Sequence, residues 1–118
     1  MKRTVQKIIT FFVVVLGICC INKIDAKAFT TGDITYINGQ RYLYSNGQKV
    51  INDFVFDGVY TYYAQADGTP MTNRLTYHPD GVHIIYFDKN GHEVFNAFQY
   101  CSSVGYNCYF DSQGYLYK

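Results

Sequence analysis

The 118-residue sequence has no tryptophan, only two prolines, and no block of like charge. Without clustered lysine and arginine it offers no footprint for nucleic acid or an anionic membrane. It lacks G-x-S-x-G, a Walker loop and H-E-x-x-H, which carry much hydrolytic and phosphoryl chemistry. A glycosidase needs two carboxylates on opposite sides of a buried bond. Here Asp53, Asp57, Asp67, Asp80, Asp88 and Asp111 mostly fall at turn positions, where the side chain serves the backbone. The sequence therefore predicts no enzyme, no catalytic residue and no cofactor. No segment has the period of a helix of useful length.

Long apolar runs are scarce as well. The one that exists, Ile8 to Ile21, has 14 residues, short of the roughly 18 to 20 that span a bilayer. Lys2, Arg3 and Lys7 precede it and Ala26-Lys27-Ala28 follows, the pattern of a secretory leader cut before Phe29. Residues 1–28 are thus expected to be a signal peptide, and the protein to be secreted, extracellular or cell wall-associated. Residues 29–118 would keep five basic and eight acidic residues, a formal charge of −3, with all 13 tyrosines and seven of the phenylalanines.

Cysteine is sparse once the leader is set aside. Cys19 and Cys20 fall within it, leaving Cys101 and Cys108 on either side of SSVGYN. A secreted chain meets oxidant, so a disulfide clipping a hairpin is expected if the two face each other across its strands. Two cysteines without a nearby second pair make no zinc site. His78 and His83 read as polar residues near a tip rather than metal ligands, since no carboxylate or thiol of ligand spacing accompanies them. The segment from Asp88 to Glu93 lacks the ligand pattern of a calcium loop and reads as a turn. No metal site is assigned.

Glycine and tyrosine are what the sequence has in quantity, and both are periodic. YLYSNGQKV, YYAQADGTPM, IYFDKNGHEV and CYFDSQGYLY centre on Gly47, Gly68, Gly91 and Gly114, at intervals of 21, 23 and 23 residues. Such a period marks stacked supersecondary units. A second series, Asn38-Gly39, Asp57-Gly58, Asp80-Gly81 and Val104-Gly105, sits between short aromatic or β-branched runs and predicts hairpin turns. The hairpins expected are Ile34–Ile37 with Gln40–Tyr44, Phe54–Phe56 with Val59–Ala64, Arg74–Pro79 with Val82–Phe87, and Ala97–Ser102 with Tyr106–Phe110. The first glycine series is expected in loops between them. A lone hairpin is barely stable, so the units must stack. The fold predicted is an all-β hairpin solenoid of about four repeats, near 34–52, 53–73, 74–95 and 96–118. Phe29 to Asp33 is expected to be a loose terminus, and Tyr115 to Lys118 a cap.

Tandem units of this length, with an aromatic strand, then (D/N)-x-x-G, then a small or apolar stretch, resemble the cell wall-binding repeats of Gram-positive surface proteins. That superfamily includes choline-binding, glucan-binding and clostridial-toxin repeats, and the resemblance covers Ile34 to Lys118. It implies a β-hairpin solenoid binding wall polymer, choline or glycan between successive hairpins. Where choline-binding repeats place tryptophan, this sequence has Thr61, Ile84 and Asn107, and later Phe54, Leu75 and Phe98. The tyrosine five residues before the glycine is kept, as Tyr63, Tyr86 and Tyr109. Tryptophan gives the strongest cation–π attraction, so a wall glycan suits these sites at least as well as choline. Tyrosine stacks on sugar C–H faces and offers its hydroxyl. Tyr63, Tyr86, Tyr109, Tyr77 and Tyr100 are the candidate ligand-binding residues. The same rings could instead form an internal spine, which would make the protein a structural or protein-interaction factor.

Overall fold

The computed structural model describes residues 30–117; the expected leader lies outside the described residues. Ten strands and no helix occur among them: β1 (Thr30–Thr31), β2 (Asp33–Ile37), β3 (Gln40–Ser45), β4 (Gln48–Lys49), β5 (Asp53–Phe56), β6 (Thr61–Ala64), β7 (Arg74–Tyr77), β8 (Ile84–Phe87), β9 (Ala97–Cys101) and β10 (Tyr106–Phe110). They form four small sheets, ordered β2-β3-β4, β1-β5-β6, β7-β8 and β9-β10. The four expected hairpins are present, as β2–β3, β5–β6, β7–β8 and β9–β10, all antiparallel.

Local chemistry explains the turns. Asn38 and Gly39 have φ of 51° and 80°, the left-handed pair that a two-residue hairpin turn requires. In the longer turns an aspartate holds the backbone. Asp57 Oδ1 accepts from the Val59 and Tyr60 N–H groups at 2.8 and 2.7 Å. Asp80 Oδ1 does the same for Val82 and His83 at 2.8 and 3.0 Å. Asp88 and Asp111 fix the segments after the third and fourth hairpins in this way.

Asn46-Gly47 lies between the first and second hairpins as expected, in a tight turn from β3 to β4 with φ values of 52° and 78°. The chain turns back likewise after the later hairpins, where Ala64 bridges Pro70, Phe87 bridges Glu93 and Phe110 bridges Leu116. One expectation needs correction: the N-terminal end of the described chain is not loose. Thr30 and Thr31 pair in parallel with Val55 and Phe56, and the Gly32 N–H donates to Phe56 O at 3.0 Å. Asn52, Asn73 and Asn96, one before each of β5, β7 and β9, all take positive φ near 50°. Among side-chain-bearing residues asparagine adopts this conformation most readily.

The hairpins meet in chain order, and the alternation of strand residues decides how. In β5–β6, Val55, Tyr62 and Ala64 share a face that packs on Leu43, with Ile34 and Val50 alongside. The opposite face presents Phe54 and Tyr63 to Phe87 of the third hairpin, at ring separations of 6.4 and 6.5 Å. In β7–β8, Leu75 and Tyr86 lie on the far side from Phe87. They pack against Cys101, Cys108 and Phe110 of the fourth. Backbone hydrogen bonds join the same neighbours. The segments after the second, third and fourth hairpins reach back through Leu43 N to Gly68 O (2.9 Å), Glu93 N to Thr61 O (2.8 Å) and Leu116 N to Ile84 O (2.7 Å). Gly91 makes this approach possible. A Cβ there would lie 3.3 Å from Met71 O, Pro70 Cβ and Tyr62 Cδ1, and its φ is +85°.

Candidate functional site

Between the second and third hairpins the packing leaves an open groove of about 230 Å³, lined by Tyr63, Met71, Thr76, Tyr77, Pro79, Ile85 and Phe87. Each wall has a structural cause. Tyr63 comes from β6 and stands edge-on to Phe54 at 5.1 Å and 75°. Thr76 and Ile85 are opposed in the register of β7–β8 and form the far wall. Met71 is fixed when its N–H donates to Tyr63 O at 2.9 Å. No charged side chain lines the groove, so its recognition surface is aromatic and apolar, with the tyrosine and threonine hydroxyls as its polar points.

The expected site residues separate into three environments. Tyr63 and Tyr77 border the groove, Tyr77 with 64% of its surface exposed. Tyr86 is only 7% exposed and lies in the cluster with Cys101, Cys108 and Phe110. Burial, then nearby Cys101 and Asp88, push its hydroxyl pKa up. Tyr109 and Tyr100 occupy the outward face of the fourth hairpin, where Tyr109 stands edge-on to Phe98 at 5.0 Å. Sequence reasoning missed Met71, Thr76, Pro79, Ile85 and Phe87. Of these, Phe87 carries a signal, being one residue after the periodic tyrosine and so on the opposite face of its strand.

Two stacked ring pairs involve the tips of the second and third hairpins. Tyr60 lies parallel to His92 at 3.5 Å and 6°, and His83 lies parallel to Tyr115 at 3.8 Å and 7°. Each links a hairpin tip to the segment after the next hairpin. His78 stacks on Phe54 at 5.4 Å. His83 Nδ1 is 2.6 Å from Asp80 Oδ2, and His78 Nδ1 is 3.5 Å from the same oxygen. The His83 side chain, then the His83 and Val82 backbone N–H groups, hold the Asp80 carboxyl well below the usual range. At Asp57 burial opposes ionisation, but hydrogen bonds from Tyr60, Val59 and the Tyr62 hydroxyl outweigh it and lower the pKa. Burial and that carboxylate raise Tyr62 to about 12. No group of three or more histidine, cysteine or acidic side chains suited to a metal ion occurs among the described residues.

The cysteines depart from expectation. Cys101 and Cys108 are buried free thiols. They do not face each other: Cys101 is opposite Tyr106 and Cys108 opposite Gln99, so the pair is diagonal across the ladder. Diagonal neighbours lie farther apart than directly opposed ones; the expected disulfide is not formed here, although the two thiols stay within hydrogen-bonding reach. Burial, then a hydrogen bond with Cys108, raises the Cys101 pKa to about 11.

No family model matches the chain, and no curated protein does. Solved structures do share its fold. The Cpl-1 endolysin of phage Cp-1, solved with a peptidoglycan analogue and also with choline, matches 82% of this chain with a TM-score of 0.61 at 19% identity; this chain spans 28% of that one. The modular autolysin LytC from Streptococcus pneumoniae, in complex with a synthetic peptidoglycan ligand, matches 71% of this chain and 18% of its own length, with a TM-score of 0.56 at 20% identity. Truncated alternansucrase from Leuconostoc mesenteroides matches 72% of this chain and 8% of its own, with a TM-score of 0.59 at 25% identity. At these identities the likeness is one of fold, and it agrees with the fold implied by the resemblance to cell wall-binding repeats.

Proposed function

We propose that this chain is a secreted, non-catalytic binding module, a β-hairpin solenoid that attaches to cell-wall polymer or another glycan through aromatic grooves between hairpins. One observation carries the reading: an uncharged groove opens between the second and third hairpins, with Tyr63, Tyr77 and Phe87 around it. Such walls suit a pyranose, whose C–H faces stack on rings while its hydroxyls meet tyrosine and threonine oxygens. Choline would find aromatic faces there too, but no tryptophan and no carboxylate to attract its charge. Repeats near 34–52, 53–73, 74–95 and 96–118 belong to the same proposal, as does the leader over residues 1–28.

Retention of the purified protein on isolated cell walls, with choline and wall sugars as competitors, tests it. Retention displaced by wall sugar, and weakened by Tyr63→Ala, is the expected result. Passage through walls and through every polysaccharide offered would end the proposal. The burial of Tyr86 favours a second reading, a structural or protein-interaction factor whose rings serve packing. That reading gains if Tyr63→Ala lowers stability alone.

A further inference from the structure

The third hairpin has hollows on both sides. Antiparallel pairing places Leu75, Tyr77, Ile84 and Tyr86 on one face and Arg74, Thr76, Ile85 and Phe87 on the other. The groove described above lies against Ile85 and Phe87. On the opposite side Tyr77 and Ile84 line two further hollows. One, of about 180 Å³, is completed by Leu75 and Thr76, and the other, of about 330 Å³, by Val82, His83 and Leu116. Tyr77 alone borders all three.

Size and chemistry constrain the occupant. Small-molecule sites usually enclose about 300–1,000 Å³; two of these hollows fall below that range and the third sits at its lower end, so each alone offers little room for a separate ligand. A chain continuing from one to the next gains contacts without repeating the loss of translational freedom. No lysine, arginine, aspartate or glutamate lines any of the three, which suits an uncharged chain. The second side adds one directional polar group. His83 Nδ1 is engaged by Asp80, and its ring is held flat on Tyr115, leaving Nε2 to meet a hydroxyl or amide.

We propose that Tyr77 is the crossing point of a single uncharged glycan strand that occupies the hollows on both faces of the third hairpin. The chain therefore selects an oligosaccharide over an isolated sugar or a choline head group. This inference rests on the glycan-binding reading above. Val82 and Tyr77 are 72% and 64% exposed, so both tolerate substitution without loss of the core.

The test is calorimetric titration of the full chain with a di- and a hexasaccharide of β-1,4-linked N-acetylglucosamine. The hexasaccharide should bind at least about tenfold more tightly. Tyr77→Ala should abolish that advantage. Val82→Glu, which places a charge on the second side, should bring the hexasaccharide down toward the disaccharide. Equal affinities in the unaltered protein, or a length advantage that survives both substitutions, overturns the inference and leaves the glycan reading standing. If neither oligosaccharide binds, the inference falls; if isolated walls also fail to retain the protein, the glycan reading falls with it.

Discussion

Replacing Tyr86 by alanine separates a ring that supports the fold from one that serves a ligand. Tyr86 lies in the cluster of Cys101, Cys108 and Phe110, and its ring centroid is 6.1 Å from that of Phe110. With 7% of its surface exposed, its removal leaves a cavity the size of an aromatic ring. Aromatic-to-alanine changes in cores cost about 3–5 kcal/mol, against about 5–15 kcal/mol for the whole stability of a domain. In a domain of this size each kcal/mol shifts the melting temperature by about 4–8 °C, so Tm should fall by at least about 12 °C. The loss should also be local. Stability in stacked repeats is roughly a sum of units and nearest-neighbour contacts, and the Leu43 cluster is separate from that of Tyr86. Hydrogen exchange should therefore quicken in β7–β10 before β2–β3. Wall retention, measured well below the lowered Tm, should persist, because Tyr86 does not line the groove between the second and third hairpins. A Tm within about 3 °C of the original, together with lost retention, would refute this placement of Tyr86.

Three further outcomes can be checked in the same preparation. Treatment with a low-molecular-weight disulfide should join Cys101 and Cys108; closing their eight-residue loop contributes about 2.5 kcal/mol by chain entropy before strain, and identical melting with and without reductant would show that the diagonal geometry does not close. The depressed pKa of Asp80 means that its contribution is present above the ordinary carboxyl value, about 3.9, and is lost as pH falls through the folded value. Tm should therefore hold from pH 7 to about 4 and then decline, less steeply in Asp80→Asn, and an equally steep decline in that variant would remove Asp80 from the explanation. Gly91→Ala should cost more than Gly39→Ala: both positions have left-handed φ, worth about 1–2 kcal/mol against a side chain, but only Gly91 lies against the preceding unit. Equal losses on denaturant titration would contradict the interlock.

The hairpins were legible because turn chemistry is local. Asn-Gly and Asp-Gly pairs announce their own backbone angles, and even the weaker Val104-Gly105 lies in a turn, closed by N–H groups of both residues donating to Cys101 O at 3.1 and 2.8 Å. Period also groups Asn46-Gly47 correctly with Gly68, Gly91 and Gly114: at each the chain turns back along the strand before it, Tyr44 pairing Lys49 as Ala64 bridges Pro70. The asparagines at 52, 73 and 96 carry the same intervals as Gly47, Gly68 and Gly91 and mark the start of β5, β7 and β9. The docking of Thr30 and Thr31 on β5 was not legible, since two threonines carry no pairing code beyond their neighbours.

The fate of each periodic tyrosine was the least legible part, and residue size on the facing hairpin accounts for it. Tyr63 and Tyr86 both stand five residues before a loop glycine and both face the following hairpin. The residue six before the next glycine is Ile85 in one case and Cys108 in the other. Ile85 is fully buried and forms the far wall of the groove, so the space beside Tyr63 stays open. Cys108 is much smaller, and Tyr86 packs into its cluster with Phe110. Periodicity gives each ring the same address, but whether the ring becomes a wall or a core depends on a neighbour more than twenty residues away. Because that neighbour contributes through volume rather than polarity, a pattern of apolar and polar positions does not reveal it. A binding groove in such a stack arises where two hairpins fit imperfectly, and the misfit is written in the partner's side chain rather than in the tyrosine.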